Sequence, residues 1–198
     1  MKKFIFLIFT LAIPVSIFLF LKIFGNNEFE VPILFENGIP GCAESTEPHL
    51  VPSIGLSLSD GSVKKIADLD EFLILGTLNP EDSLQLHSEM IELVRIQDAF
   101  YEIGSPAFVL LTNHQGYLEK ISNEIEEVGL EKENYLLGTL DDERLKDFIK
   151  CGLGLTEGDK NQLVLIDPLK RIRGIYNGLE PDQTEQLILE LKILRKQV

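Results

Sequence analysis

Hydrophobic residues in this chain fall into three kinds of pattern. The first is one long apolar stretch, residues 4–21, with no charge inside it. The second is a set of short apolar runs at residues 72–78, 107–112, 134–138 and 162–167. Runs this short and this uniformly apolar predict strands buried on both faces. The third is helical spacing. Leu86, Met90, Leu93, Ile96 with Gln97, Phe100 and Ile103 line one face of a helix between the first two buried strands. Leu187, Ile188, Leu191 and Leu194 do the same in a helix opened by Pro181-Asp182. Helices closed by Gly129 and by Gly152 are predicted at residues 117–128 and 141–151.

Polar punctuation completes the pattern. Residues 54–63 alternate apolar and small polar side chains around Asp60-Gly61, which predicts a tight hairpin. A helical turn follows at residues 66–69, and Pro168-Leu169-Lys170 turns the fourth buried strand into a fifth at residues 171–176. Residues 28–35 are expected to form an edge strand, with Pro32 excluding a central one. At the junction after the first buried strand, Asn79 is the expected helix N-cap and Pro80 the first helical residue, with Glu81 and Asp82 complementing the dipole. The order is a hairpin, then β-α-β-α-β-α-β-β-α. This is an α/β fold, a thioredoxin-like central sheet flanked by helices with an N-terminal β-hairpin.

The apolar stretch adds a second unit. It reaches roughly the ~20 residues needed to cross a bilayer, given a snorkelling Lys22. A cleaved signal peptide is the rival reading, but the run is long for one and no small-residue cleavage pattern follows it. Lys2 and Lys3 favour a cytoplasmic N-terminus. The organisation expected is therefore one N-terminal transmembrane helix (residues 1–25), a leader (26–50) and an outward-facing domain (51–198). Without Lys2, Lys3 and Lys22, the exported part carries 15 basic against 32 acidic residues, a net −17. That balance excludes nucleic acid and anionic lipid surfaces as charge-driven partners.

Candidate chemistry is sparse. Cys42 and Cys151 are the two cysteines of the chain. In an exported, oxidising setting two cysteines tend to pair. Two unpaired thiols, one of them buried, are the alternative. His49, His87 and His114 lie far apart and show no metal-ligand spacing. In thioredoxin-like folds the junction after the first central strand carries reactive thiols, because a helix N-terminus lowers a thiol's pKa. Here that junction offers Glu81 and Asp82.

The segment Leu163-Val-Leu-Ile-Asp-Pro-Leu-Lys-Arg-Ile-Arg-Gly-Ile-Tyr-Asn-Gly178 resembles the closing hairpin of the SCO/SenC family. These are membrane-anchored thioredoxin-fold proteins that help assemble the copper centre of cytochrome oxidase. Phe24-Gly25-Asn26, Val31-Pro32, Ser59-Asp60-Gly61 and Arg95-Ile-Gln-Asp-Ala-Phe100 are similar to other family segments. The resemblance implies a single-pass protein of the bacterial inner membrane, its domain in the periplasm, with a respiratory complex as protein partner. It also implies copper as the family's metal, held by a C-x-x-x-C pair and a distal histidine. Those positions fall here at about Asp82, Leu86 and Asp159. A leucine and two carboxylates do not suit soft copper. The expectation is thus an accessory or binding protein without catalytic residues, cofactor or metal. The alternatives are a thiol–disulfide oxidoreductase or redox sensor using Cys42 and Cys151, and a copper metallochaperone with another ligand set. Asp82 and Asp159 together offer a carboxylate pair for a hard cation or acid–base work, against plain roles as helix-dipole partner and turn residue.

Overall fold

The computed structural model describes residues 30–42, 46–156, 159 and 161–197, with residues 10, 12–20 and 22 near the N-terminus. The chain divides into two units, Met1–Glu30 and Val31–Val198. In the first, residues 12–20 are helical. Among the described residues no helix is long and apolar enough to cross a membrane. Residues 4–9, 11 and 21 of the stretch expected to span one lie outside the described residues.

The second unit is built on a seven-stranded sheet. Its elements are β1 (Gly55–Leu58), β2 (Val63–Lys65), β3 (Leu73–Thr77), α1 (Ser83–Ala99), β4 (Ala107–Thr112), α2 (Leu118–Val128) and β5 (Tyr135–Thr139). Then come α3 (Asp142–Asp147), β6 (Gln162–Ile166), β7 (Ile172–Asn177) and α4 (Pro181–Gln197). The strand order is β2-β1-β5-β4-β3-β6-β7. β3, β4 and β5 run parallel, and every other pairing is antiparallel.

Handedness then places the helices. From β3 to β4 to β5 the chain steps one way across the sheet, so right-handed crossovers lay α1 and α2 on one face. β6 is antiparallel to these three strands, so the rule does not govern the step from β5 to β6; Leu145 of α3 packs into the core of the other face. The core divides accordingly. Ile74, Phe108, Leu110 and Leu165 pack with Leu86, Met90, Ile121, Ile125 and Leu191 of α1, α2 and α4. Leu73, Leu75, Val109, Leu111 and Val164 pack with Leu145 of α3 and with Phe148, Val51 and Ile66. Because side chains alternate between two buried faces, each central strand reads as a continuous apolar run.

Four expectations are corrected. Helix α1 begins at Ser83, and its cap is Asp82, whose Oδ1 accepts from the Gln85 N–H at 3.1 Å. Asn79 instead accepts from the Glu81 N–H at 3.2 Å, closing a turn ahead of the helix. Lys120 of α2 braces that turn by donating to the Pro80 carbonyl and to Ser83 Oγ. Helix α1 stops at Ala99, so Ile103 leaves the core stripe and is 60% exposed. Helix α3 is α-helical only to Asp147 and continues as a π turn over Phe148–Gly152. The leader forms no strand over residues 30–35. Its Leu34 N–H donates to the Ile172 carbonyl at 2.8 Å, and Pro32 has no N–H to extend a ladder.

Candidate functional site

Ligands of open α/β sheets bind beyond the carboxyl ends of the strands. Here a cleft of about 590 Å³ lies at the exit of β3. Thr77, Leu78 and Asn79 form one wall, and Ile149 and Lys150 of the π turn form another. Leu155, Asp159 and Asn161 complete it, with Lys146 and Asp147 of α3 at the side. It is an apolar groove carrying charges of both signs.

The three family positions do not meet in it. Asp82 is spent on capping α1. Leu86 is fully buried in the core beneath that helix. Only Asp159 lines the cleft, and it accepts from Thr156 N–H at 2.7 Å and from Thr156 Oγ1 at 2.8 Å. Those bonds favour the charged form and hold its carboxyl below the ordinary range. The carboxylate pair considered from sequence is therefore two separately committed groups.

The histidines are dispersed as well. His87 of α1 pairs with Glu124 of α2. The His114 Nδ1 accepts from the Gly116 N–H at 3.0 Å. His49 donates from Nε2 to the Gly152 carbonyl at 2.8 Å. Among the described residues no three His, Cys, Asp or Glu side chains gather closely enough to hold a metal ion. Cys42 and Cys151 are joined in a disulfide, with Cα atoms 5.5 Å apart.

Two buried groups were not anticipated. Asp167, 2% exposed, accepts from Arg171 Nη2 at 2.7 Å, Arg171 Nε at 2.8 Å and Arg173 Nη1 at 3.2 Å. Arg173 also donates to the Pro32 carbonyl at 3.2 Å and to that of Val31. The closing hairpin thus ties down the leader. Its glycine is required sterically: a Cβ on Gly174 would lie 2.0 Å from the Tyr176 hydroxyl. The sequence signal was present in the Asp-x-x-x-Arg-x-Arg spacing, which the family resemblance absorbed.

The second group is Glu89, 5% exposed, whose carboxylate oxygens make no hydrogen bond of regular geometry, with only the Gln85 side chain near enough to favour the charged form. It sits inside the apolar stripe, three residues beyond Leu86 and four before Leu93. Burial pushes its carboxyl up to about 7 and the nearby Asp82 charge adds to the shift. Gln85, whose amide donates to Asn161, offsets it only in part. A raised folded-state pKa gives stability that is complete below about pH 4.5 and is lost as pH rises through about 7. The loss amounts to roughly 3 kcal/mol at 1.36 kcal/mol per unit. Urea denaturation between pH 5 and 8 is expected to show this fall in the native chain and a flatter profile in Glu89→Gln. Equal slopes in both would refute the assignment.

Comparison with solved structures bears on the fold. An SCO1/SenC family lipoprotein from Bacillus anthracis str. Ames matches with a TM-score of 0.59 at 17% identity, over 73% of this chain and 94% of that one. BsSco, described as a member of the Sco family of cytochrome c oxidase assembly proteins with a disulfide switch, matches at 0.59 and 16%, over 73% and 92%. The fold is an SCO/SenC-like thioredoxin fold. A thioredoxin family thiol:disulfide interchange protein from Chlorobium tepidum TLS matches at 0.53 and 19%, over 75% and 99%. No protein-family model and no curated protein matches the chain.

Proposed function

We propose that this SCO/SenC-like protein is a membrane-tethered binding or assembly accessory of the bacterial envelope that works without the family's copper. The reading rests on one observation above all. Among the described residues the cleft at the exit of β3 presents neither thiol nor imidazole, while the family positions supply a helix cap, a core leucine and a turn carboxylate. Soft copper is held by thiolate, thioether and imidazole donors, so these residues do not fit it. An apolar groove with polar groups at its margin suits a bound partner.

The uncharged stretch at residues 4–21 and the flanking Lys2 and Lys3 support anchoring with the domain outside the cytoplasm. The partner would be a component of respiratory oxidase assembly or of envelope redox homeostasis; one structural neighbour is described as a cytochrome c oxidase assembly protein and another as a thiol:disulfide interchange protein. The test is a Cu(I) titration of the full chain. No stoichiometric, tight binding is expected.

A further inference from the structure

Away from the β3 cleft, the bridge between Cys42 and Cys151 does not lie sealed in the core. Both cysteines are partly exposed and open onto a separate pocket of about 250 Å³, lined by Ile39, Cys42, His49 and Cys151. The pocket therefore gathers a disulfide, one apolar side chain and one imidazole. The imidazole is held in place. His49 Nε2 donates to the carbonyl of Gly152, the residue after Cys151, and the His49 backbone N–H donates to the Phe35 carbonyl at 2.9 Å. With Nε2 committed as donor to that carbonyl, Nδ1 is the ring nitrogen left over.

We propose that Cys42, Cys151 and His49 form a thiol–disulfide exchange site that accepts electrons from a dithiol. A thiolate of the dithiol attacks one sulfur, and the Cys42–Cys151 bond breaks. The departing sulfur leaves as a thiolate and takes a proton from the His49 imidazolium. The second thiol of the donor then gives its proton to the neutral imidazole and attacks the mixed disulfide, releasing the other cysteine, which is protonated in turn. The donor ends as a disulfide and Cys42 and Cys151 as two thiols, with two electrons and two protons transferred. His49 acts here as the proton-handling group at the leaving sulfur.

The bridge can open without unfolding the chain. The leader keeps its other ties, through Leu34 to β7 and through the Val31 and Pro32 carbonyls to Arg173. This inference goes beyond the proposed accessory role and does not depend on copper.

The test uses the full chain equilibrated with reduced and oxidised glutathione, the bridged fraction being read by thiol alkylation and mass spectrometry and the fold by circular dichroism. The expected result is a bridge that follows the glutathione ratio while the chain stays folded. The rate of reduction by dithiothreitol, per thiolate, is then followed from about pH 8 to 5. It should rise on acidification in the native chain and stay flat in His49→Gln, which is expected to be about tenfold slower near pH 6. Glutamine retains an N–H donor for the Gly152 carbonyl but carries no titratable proton. A bridge that persists in glutathione and opens only as the chain unfolds would overturn the proposal. Identical pH profiles for the two proteins would remove His49 from it.

Discussion

Asp167→Ala is expected to destabilise the folded domain by about 3–5 kcal/mol, the usual consequence of removing one partner from a buried ionic group. Asp167 receives both Arg171 and Arg173, and the Arg173 side chain is only 10% exposed. Its loss leaves that guanidinium buried with no countercharge. The damage spreads, because Arg173 also holds the Val31 and Pro32 carbonyls and so part of the approach of the leader to β7. Arg171→Ala should cost much less, since its side chain is 29% exposed and keeps access to water. Urea denaturation midpoints of the two variants separate these outcomes. A loss under about 1 kcal/mol for Asp167→Ala, the scale of an exposed pair, would show that the network is not a buried anchor.

Leu86→Ala is expected to cost about 2–5 kcal/mol, the range for truncating a fully buried leucine. Leu86 is 0% exposed and packs in the core shared by α1, α2 and α4. Two residues earlier, Leu84 is 84% exposed, so Leu84→Ala should change stability by no more than about 0.5 kcal/mol. The pair matters because Leu86 falls where the family resemblance expects a metal-binding cysteine. A large loss at Leu86 beside a negligible one at Leu84 identifies the side chain as packing for α1. Comparable small effects would argue that Leu86 faces open space and that the helix is placed differently.

Much of the fold was legible because its central strands are buried on both faces. β3, β4 and β6 read as unbroken apolar runs, and Asp60-Gly61 marked the β1–β2 turn, where Gly61 takes φ +79°. The start of α1 was not legible. Asn79 and Asp82 are both competent caps, and the choice depends on Lys120, 40 residues away from Pro80 in sequence. Glu89 was lost for a related reason. Helical spacing marks its place in the stripe, but a glutamate is ordinarily assigned to solvent.

The candidate site was legible only in fragments. Asp159 does line the cleft, while Asp82 and Leu86 belong to the cap and the core of α1. The Cys42–Cys151 bridge was an expectation resting on an exported setting read from residues 4–21, and the two cysteines are joined in the fold. The histidine beside them could not be foreseen, since His49 and Gly152 stand 103 residues apart and meet only through the tertiary fold. Long-range contacts of this kind leave no local periodicity.

Cu(I) titration of the full chain against a chromophoric chelator, with Cys42 and Cys151 kept as the disulfide, tests the loss of the metal centre most directly. The chelator is expected to retain the copper at every ratio of protein to metal. Withdrawal of one Cu(I) per chain, abolished by Asp82→Ala or Asp159→Ala, would contradict it and restore a metal centre at the exit of β3.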